Sequence, residues 1–130
     1  MPSIFSRIIN REIPAHIILE DDRFIAFLDL MPLVTGHVLV VPKKEVDYIF
    51  DMEDADLQDM LVFAKKVAVG LRKAIECRRI GVSVIGLEVP HTHVHLVPMH
   101  TADDLNFTRP KLKPTPDELQ ATAAHIRSFF

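Results

Sequence analysis

The stretch Pro90-His91-Thr92-His93-Val94-His95-Leu96-Val97-Pro98 places a histidine at every second position. Its β-branched and apolar residues predict a strand over Thr92–Val97. Side chains of a strand alternate between faces, so the three imidazoles should share one face, roughly 6 to 7 Å apart. The opposite face receives the apolar side chains and can join a core. Packing alone does not need a row of groups that titrate near neutrality, and such rows are typical of functional sites.

Three interpretations of this histidine stretch are compatible with its spacing. The first is a chance surface cluster. The second is a zinc site, because imidazoles at two-residue spacing on a strand can bind one ion together with a further ligand such as His37. The third is nucleophilic catalysis, in which one imidazole attacks phosphorus and its neighbours hold or move protons. Spacing by itself does not separate the zinc site from the nucleophile.

The rest of the chain predicts an α+β fold with a mainly antiparallel sheet, a long central helix and a C-terminal helix, because the strands cluster instead of alternating with helices. The long helix is expected over about residues 53–77, where apolar residues recur at three- and four-residue steps. Gly70 in its middle implies a close packing partner. The other expected elements are a short helix that starts at Ile4 with Ser3 as its cap, strands at His16–Leu19, Phe24–Leu28, Val38–Val41 and Ile80–Ile85, and a helix from Thr115 to near Phe129.

Composition limits the class of protein. The 130 residues are 48% hydrophobic and 25% charged, which are globular values that exclude intrinsic disorder. We expect one domain over residues 1–130, with Thr101 to Pro114 as a semi-ordered or partner-contacting tail.

The net charge of −3 offers no general attraction for nucleic acid or an anionic membrane. Cys77 is the single cysteine, and no apolar run is long enough for a signal peptide or a membrane span, so a cytoplasmic location is expected.

The histidine stretch and two upstream blocks resemble the histidine triad superfamily. His-x-His-x-His followed by two apolar residues is the signature of that superfamily, and Pro32-Leu33-Val34-Thr35-Gly36-His37-Val38-Leu39-Val40-Val41-Pro42-Lys43 is similar to its second block. The opening from Ser3 to Asp29 is similar to the Hint branch, whose members bind purine nucleotides. The three blocks occur in the right order over residues 3–99.

The resemblance implies a nucleotide hydrolase or transferase that acts at an α-phosphate and needs no cofactor. His93 would be the nucleophile that forms a nucleotidyl-histidine intermediate, and His95 would contact the phosphate or help the leaving group depart. His91 and His37 would complete a proton relay, and Asp29 would accept both ribose hydroxyls. The residues that match the apolar walls around the base are Ile4, Phe5, Ile8, Phe27 and Leu30, some of which would look the same as plain core residues.

The sequence departs from the family pattern in three places. Ser3 and Ser6 stand where many bacterial Hint-branch relatives carry a cysteine pair of a structural zinc site, so that zinc is not expected. Leu87 and Glu88 replace the usual polar residues before the triad; Glu88 is assigned to the nucleotide site, although it would repel a phosphate if it pointed inward. Met99 stands where relatives that cleave dinucleoside polyphosphates often carry arginine.

These departures favour purine nucleoside 5′-phosphoramidates as substrates and leave alternatives open. One is a dinucleoside polyphosphate hydrolase. Another is a nucleotide-binding regulatory protein with little turnover, as the substitutions at Leu87 and Glu88 suggest. A third is the zinc protein described above. The resemblance also implies a homodimer whose sheets join across a two-fold axis, with the long helix near the interface; neither nucleic acid nor membrane is an expected partner.

Overall fold

A five-stranded sheet forms the centre of the computed structural model, which describes residues 2–130. The strands are β1 (Ile17–Glu20), β2 (Phe24–Leu28), β3 (Val38–Pro42), β4 (Arg79–Ser83) and β5 (Val94–Met99). The helices are α1 (Ile4–Ile9), α2 (Asp54–Ala74) and α3 (Pro116–Arg127), with short 3-10 helices at Ile49–Asp51 and Ala102–Leu105. Every neighbouring pair of strands is antiparallel, in the order β1-β2-β3-β5-β4. The predicted α+β fold is confirmed.

The helices cover the two faces of the sheet unequally. Helices α2 and α3 pack on one face, over an apolar core that includes Val38, Val40, Val94 and Leu96. The other face carries the short α1, with a smaller apolar cluster of Phe5, Ile8, Ile25, Phe27, Leu39 and Val41. Odd-numbered residues of β2 and β3 therefore face α1, and even-numbered ones face the long helices. This alternation sends His37 and His95 to the α1 face.

Caps and packing explain where the helices begin. The Ser3 hydroxyl accepts a hydrogen bond from the Ser6 N–H and starts α1, as expected from the sequence. Thr115 and Glu118 form the predicted capping box of α3. The partner expected at Gly70 is the Phe130 ring, which a Cβ at position 70 would overlap.

The predicted strand over Thr92–Val97 differs most from the structure, because β5 begins only at Val94 and continues to Met99. His91 and His93 precede it in a turn, where the His91 N–H donates to the Val89 carbonyl at 2.8 Å. The Thr92 N–H and hydroxyl both donate to the Val46 carbonyl, at 2.7 Å each. Strand β4 likewise ends at Ser83 and not at Ile85. Backbone pairing with the neighbouring strands, which alternation does not reveal, sets these limits.

The segment after β5 is ordered. It contains the 3-10 helix Ala102–Leu105, capped reciprocally by Thr101 and Asp104. The Leu112 N–H donates to the Pro32 carbonyl at 2.9 Å and ties the segment to the loop before β3. The expected semi-ordered tail is therefore part of the packed structure. Within residues 2–130, no helix combines the length and the hydropathy that a bilayer crossing requires.

Candidate active site

The side chain of His93 is held by a hydrogen bond to its own turn. His93 Nδ1 lies 2.8 Å from the His91 carbonyl oxygen, which only accepts, so Nδ1 carries the proton. The neutral ring then has its lone pair on Nε2. The Phe5 ring packs edge-on against the imidazole, with centroids 4.9 Å apart, and fixes the plane of the ring. The hydrogen bond thus selects one tautomer of the neutral His93 ring, in which Nε2 is the basic nitrogen.

His37 and His95 form a hydrogen-bonded pair whose proton order is set by the backbone. The Leu33 N–H donates to His37 Nδ1 at 3.0 Å, so a neutral His37 carries its proton on Nε2. His37 Nε2 lies 2.9 Å from His95 Nδ1 and donates to it. His95 must then carry its own proton on Nε2. The amide of Leu33 therefore determines which nitrogen of His95 can donate to a ligand.

Burial keeps this pair neutral. His37 is 1% exposed and His95 is 7% exposed. Loss of hydration is the main cause that lowers the pKa of His37 to about 4 and that of His95 to about 3. The positive charges of neighbouring groups add to the effect. Near pH 7 both rings are uncharged, and the chain of donors described above is complete.

The remaining nitrogens of His93 and His95 are open to the outside. Among the described residues, every buried side-chain nitrogen or oxygen has a hydrogen-bond partner. His93 Nε2 and His95 Nε2 have none, so neither atom can be fully covered by protein. The two rings lie 4.9 Å apart between centroids. The lone pair of His93 and the N–H of His95 are therefore available side by side. The two rings are closer together than the roughly 6 to 7 Å predicted for a regular strand.

His91 has a structural part in this arrangement. Its Nε2–H donates to the Pro42 carbonyl at 2.7 Å, and its Nδ1 accepts from the Ser3 hydroxyl at 2.6 Å. Glu45 accepts from the Ser3 N–H at 2.5 Å and from the Ser6 hydroxyl at 3.2 Å. Burial lowers the pKa of His91. Both ring nitrogens are in use, so His91 positions the His93 turn and offers no atom to a ligand.

Asp29 lies at the end of β2, next to the histidine pair. One carboxylate oxygen accepts the Met31 N–H at 2.9 Å, and the other lies 3.7 Å from His37 Nε2. Burial raises the pKa of Asp29, which the Met31 N–H and the nearby positive charges oppose. This partly exposed carboxylate keeps acceptor capacity for two hydroxyl donors, as its expected ribose role requires.

The expected base-binding residues divide into two groups. Phe5, Ile8 and Phe27 are at most 7% exposed and belong to the apolar cluster under α1. Ile4 and Leu30 are 49% and 54% exposed, so their side chains remain available to a ligand.

Glu88 is exposed and makes no side-chain hydrogen bond to the described residues. Leu87 beside it is 89% exposed.

The donor set does not suit a metal ion. Across residues 2–130, the one group of His, Cys, Asp or Glu whose ligand atoms come close enough is Asp29, His37 and His95, within 4.8 Å of one another. Coordination through His37 Nε2 would move its proton to Nδ1, where it would face the Leu33 N–H. The geometry also disfavours the alternative of a zinc site built from His91, His93, His95 and His37, because both nitrogens of His91 are engaged.

Two functional candidates were missed by the sequence analysis. Phe107 packs edge-on against His95, with ring centroids 4.6 Å apart, and reaches His37 at 6.2 Å. The Lys111 ammonium is near enough to lower the pKa of His37 and to oppose the raised pKa of Asp29. Phe107 is the one aromatic residue between Met99 and Thr115, which is the only local signal that could have identified it.

Comparison with known proteins agrees with this arrangement. The HIT domain family model matches residues 10–102. An uncharacterized HIT-like protein of Borreliella burgdorferi is 35% identical over 82% of this chain and 81% of its own length. Among solved structures, a Hit-like protein involved in cell-cycle regulation from Bartonella henselae superposes with a TM-score of 0.85, 31% identity and coverage of 98% of this chain and 96% of its own. A hypothetical histidine triad nucleotide-binding protein from Sulfolobus tokodaii gives a TM-score of 0.82, 27% identity and coverage of 96% and 89%.

Proposed function

The chain belongs to the HIT family, with its nucleotide-binding hydrolase and transferase fold, and from that membership we propose that it cleaves nucleotides at the α-phosphate through a covalent nucleotidyl-His93 intermediate. The observation that carries the proposal is the hydrogen bond from His93 Nδ1 to the His91 carbonyl at 2.8 Å. In the neutral ring this bond places the lone pair on Nε2, and an imidazole with a free lone pair is the form that attacks phosphorus.

In the first step, the Nε2 lone pair of His93 forms a bond to phosphorus and the bond from phosphorus to the leaving nitrogen breaks. The electron pair leaves with that nitrogen, which takes a proton from solvent. The His93 ring gains a positive charge, which the His91 carbonyl stabilises through the Nδ1–H. The Nε2–H of His95 donates to the phosphate as charge develops on its oxygens.

In the second step, water attacks phosphorus and returns the electron pair to His93 Nε2. The proton of the water passes to solvent, and a nucleoside 5′-monophosphate is released. One water molecule is consumed in each cycle, and every protein group ends in its starting protonation state. The residues of this mechanism need no bound metal.

Purine nucleoside 5′-phosphoramidates are the substrates that we propose. The carboxylate of Asp29 has acceptor capacity for two ribose hydroxyls, and the exposed Ile4 and Leu30 offer apolar surface for a purine. Met99 supplies no charge for a long polyphosphate. The leaving amine needs only a proton, so a site with neutral histidines is sufficient for its departure.

We further propose that the protein acts as a homodimer formed through α2 and β4. Strand β4 is at the edge of the sheet, with one side unpaired among the described residues. Val62 and Val69 on α2 and Val82 on β4 are 59%, 51% and 57% exposed. An open strand edge beside exposed valines favours association with a second copy, which would extend the sheet. Sedimentation at micromolar concentration should give a dimer, and Val69→Glu should shift it to monomer; a monomeric wild type contradicts the proposal.

Release of AMP from adenosine 5′-phosphoramidate tests the activity. It should persist with a chelator and fall more than about a thousandfold in His93→Ala, because the covalent route is lost. His100→Ala removes an exposed imidazole and should behave as wild type. Quenching in alkaline denaturant during turnover should trap a nucleotidyl adduct on His93, because the P–N bond of a phosphorylated imidazole hydrolyses in acid. A dinucleoside polyphosphate in parallel identifies the alternative substrate class, and AMP binding without release from either compound would indicate a nucleotide-binding protein.

A further inference from the structure

The segment after β5 crosses the site and is tied down at both ends. We call residues 101–112 the strap. At its start, Asp104 accepts the N–H groups of His100 and Thr101 at 2.8 and 3.1 Å. At its end, the Leu112 N–H donates to the Pro32 carbonyl. The strap is thereby fixed against the same loop that supplies the Leu33 N–H to His37.

Internal contacts hold the middle of the strap in one shape. Lys111 Nζ donates to the carbonyl of Phe107 at 2.5 Å and to that of Arg109 at 3.3 Å. Its ammonium lies 5.9 Å from the centroid of the Phe107 ring. Arg109 in turn donates to the Asp103 carbonyl and to the Asp104 carboxylate, at 2.9 and 3.1 Å. These contacts fix the backbone from which the Phe107 side chain projects.

The Phe107 ring is the part of the strap that meets the site. It packs on His95 with centroids 4.6 Å apart at 67°, and on His37 with centroids 6.2 Å apart at 77°. Both are edge-to-face contacts, which restrict how an imidazole can rotate. The ring therefore contacts both imidazoles that the His37–His95 hydrogen bond joins.

We propose that Phe107 is a positioning residue that holds His95 in line with His37 and keeps water from their hydrogen bond, so that His95 Nε2–H remains directed to the phosphate. This role rests on the proposed function, since the phosphate is the group that His95 is held to meet. No covalent contact with substrate is required of Phe107. Its effect should therefore appear in turnover and in the state of His95, and much less in nucleotide affinity.

The charged and titratable groups around the pair determine what opening the strap would do. Asp29 faces His37 from the end of β2, His93 faces His95 from the turn before β5, and Lys111 approaches from the strap. Lys111 and a protonated His93 disfavour a charge on the pair, whereas Asp29 favours it. Loss of hydration is nevertheless the largest cause of the low pKa of His95. Admitting water should thus raise that pKa toward the ordinary histidine value of about 6.5.

Phe107→Ala, Phe107→Leu and a matched Phe50→Ala control test the proposal. Phe50 is 72% exposed and has the Tyr48 ring as its aromatic partner, so its loss leaves the site intact. Nitrogen NMR of ¹⁵N-histidine protein should show His95 in its Nε2–H form down to low pH in wild type and Phe50→Ala. In Phe107→Ala the ring should titrate at higher pH. Phe107→Leu, which keeps an apolar cover, should lie between.

Turnover provides the second readout. For Phe107→Ala, kcat should fall about tenfold to a hundredfold, as expected when a catalytic group loses its alignment. KM should change by less than about threefold, since ribose and base are bound elsewhere, and the acid limb of the pH profile should move to higher pH. Phe107→Leu should recover part of kcat. Unfolding curves confirm that each variant is folded.

The two readouts separate the possible failures. If wild type has no turnover, the proposed function fails, and the NMR titration still tests the positioning role. An unchanged His95 titration in folded Phe107→Ala would overturn the positioning role. A shifted His95 titration with unchanged kcat in Phe107→Ala would also overturn it. Phe107 would then exclude water from His95 without aligning it for catalysis.

Discussion

The two faces of the sheet are packed by different kinds of side chains. The face under α2 and α3 is filled by side chains such as Val38, Val40 and Leu71, none of them more than 1% exposed and none carrying a polar side-chain atom. The α1 face buries four histidines, with no side-chain nitrogen left buried and unpaired among the described residues. The first face stabilises the fold through contact area. The second uses hydrogen bonds to present two ring nitrogens, which makes it the face on which chemistry is possible.

The largest stability effect is expected on the helix-covered face. Leu71→Ala should lower the free energy of unfolding by about 2–5 kcal/mol, because it removes a fully buried side chain and leaves a cavity. Turnover per folded molecule should stay close to wild type, since the sheet separates Leu71 from the histidines. Denaturant unfolding and active-site-normalised rates measure both. A matched loss of kcat would show that the two faces are not separable.

The pH dependence of stability should come from the α1 face. His37 and His95 have folded pKa values of about 4 and about 3, below the unfolded value of about 6.5. As pH falls below 6.5 the unfolded chain takes up protons that the folded protein does not. Each group then lowers the free energy of unfolding by up to about 1.4 kcal/mol per pH unit, until its folded pKa is reached. Above pH 7 these groups contribute no slope.

Variants can assign that slope to its face. Urea unfolding between pH 7 and about pH 4.5 should give the same slope for wild type and Leu71→Ala. His37→Gln should give a shallower slope, because the proton of His37 is no longer taken up on unfolding. Equal slopes for wild type and His37→Gln would place the acid sensitivity outside the histidine pair.

A pair of helix caps gives the smallest expected effects and the sharpest contrast. Thr115→Ala removes a cap on the helix-covered side and should cost about 1 kcal/mol with no change in kcat. Ser3→Ala removes a cap and also the hydroxyl that donates to the fully buried His91 Nδ1, so it should cost about 2 kcal/mol. It should also lower kcat, because His91 carries the carbonyl that orients His93. Equal effects of the two substitutions on kcat would contradict a link between α1 and the proposed nucleophile, His93.

Local sequence signals were sufficient for the fold class and most elements. Strand β2 has its predicted limits, and the caps at Ser3 and Thr115 are formed as expected. The histidines themselves were recognisable because their spacing is local. Their geometry was not, since β5 starts at Val94, where pairing with β3 begins, and pairing depends on residues far away in the chain.

The strap could not be predicted for the same reason. Phe107 is twelve positions after His95, in a segment that has no apolar periodicity, and its contact depends on a backbone hydrogen bond from Leu112 to Pro32. The proton order of the histidine pair was equally hidden. It follows from the Leu33 N–H, which lies four residues from His37 and has no side-chain signature.

The Leu33 N–H fixes the direction of the hydrogen bond between His37 and His95, and ordinary titration cannot reverse that direction. Histidine side chains can exchange one neutral tautomer for the other, so two of them in contact could in principle point their protons either way. A peptide N–H has no second form and does not ionise in water near neutral pH. Because His37 Nδ1 accepts from such a group, only one of the two proton orders is possible in the pair. The outer nitrogen, His95 Nε2, is therefore always a donor. The main chain thus determines that His95 Nε2 is the donor. Among substitutions at position 33, only proline would remove this effect, because it lacks the backbone N–H.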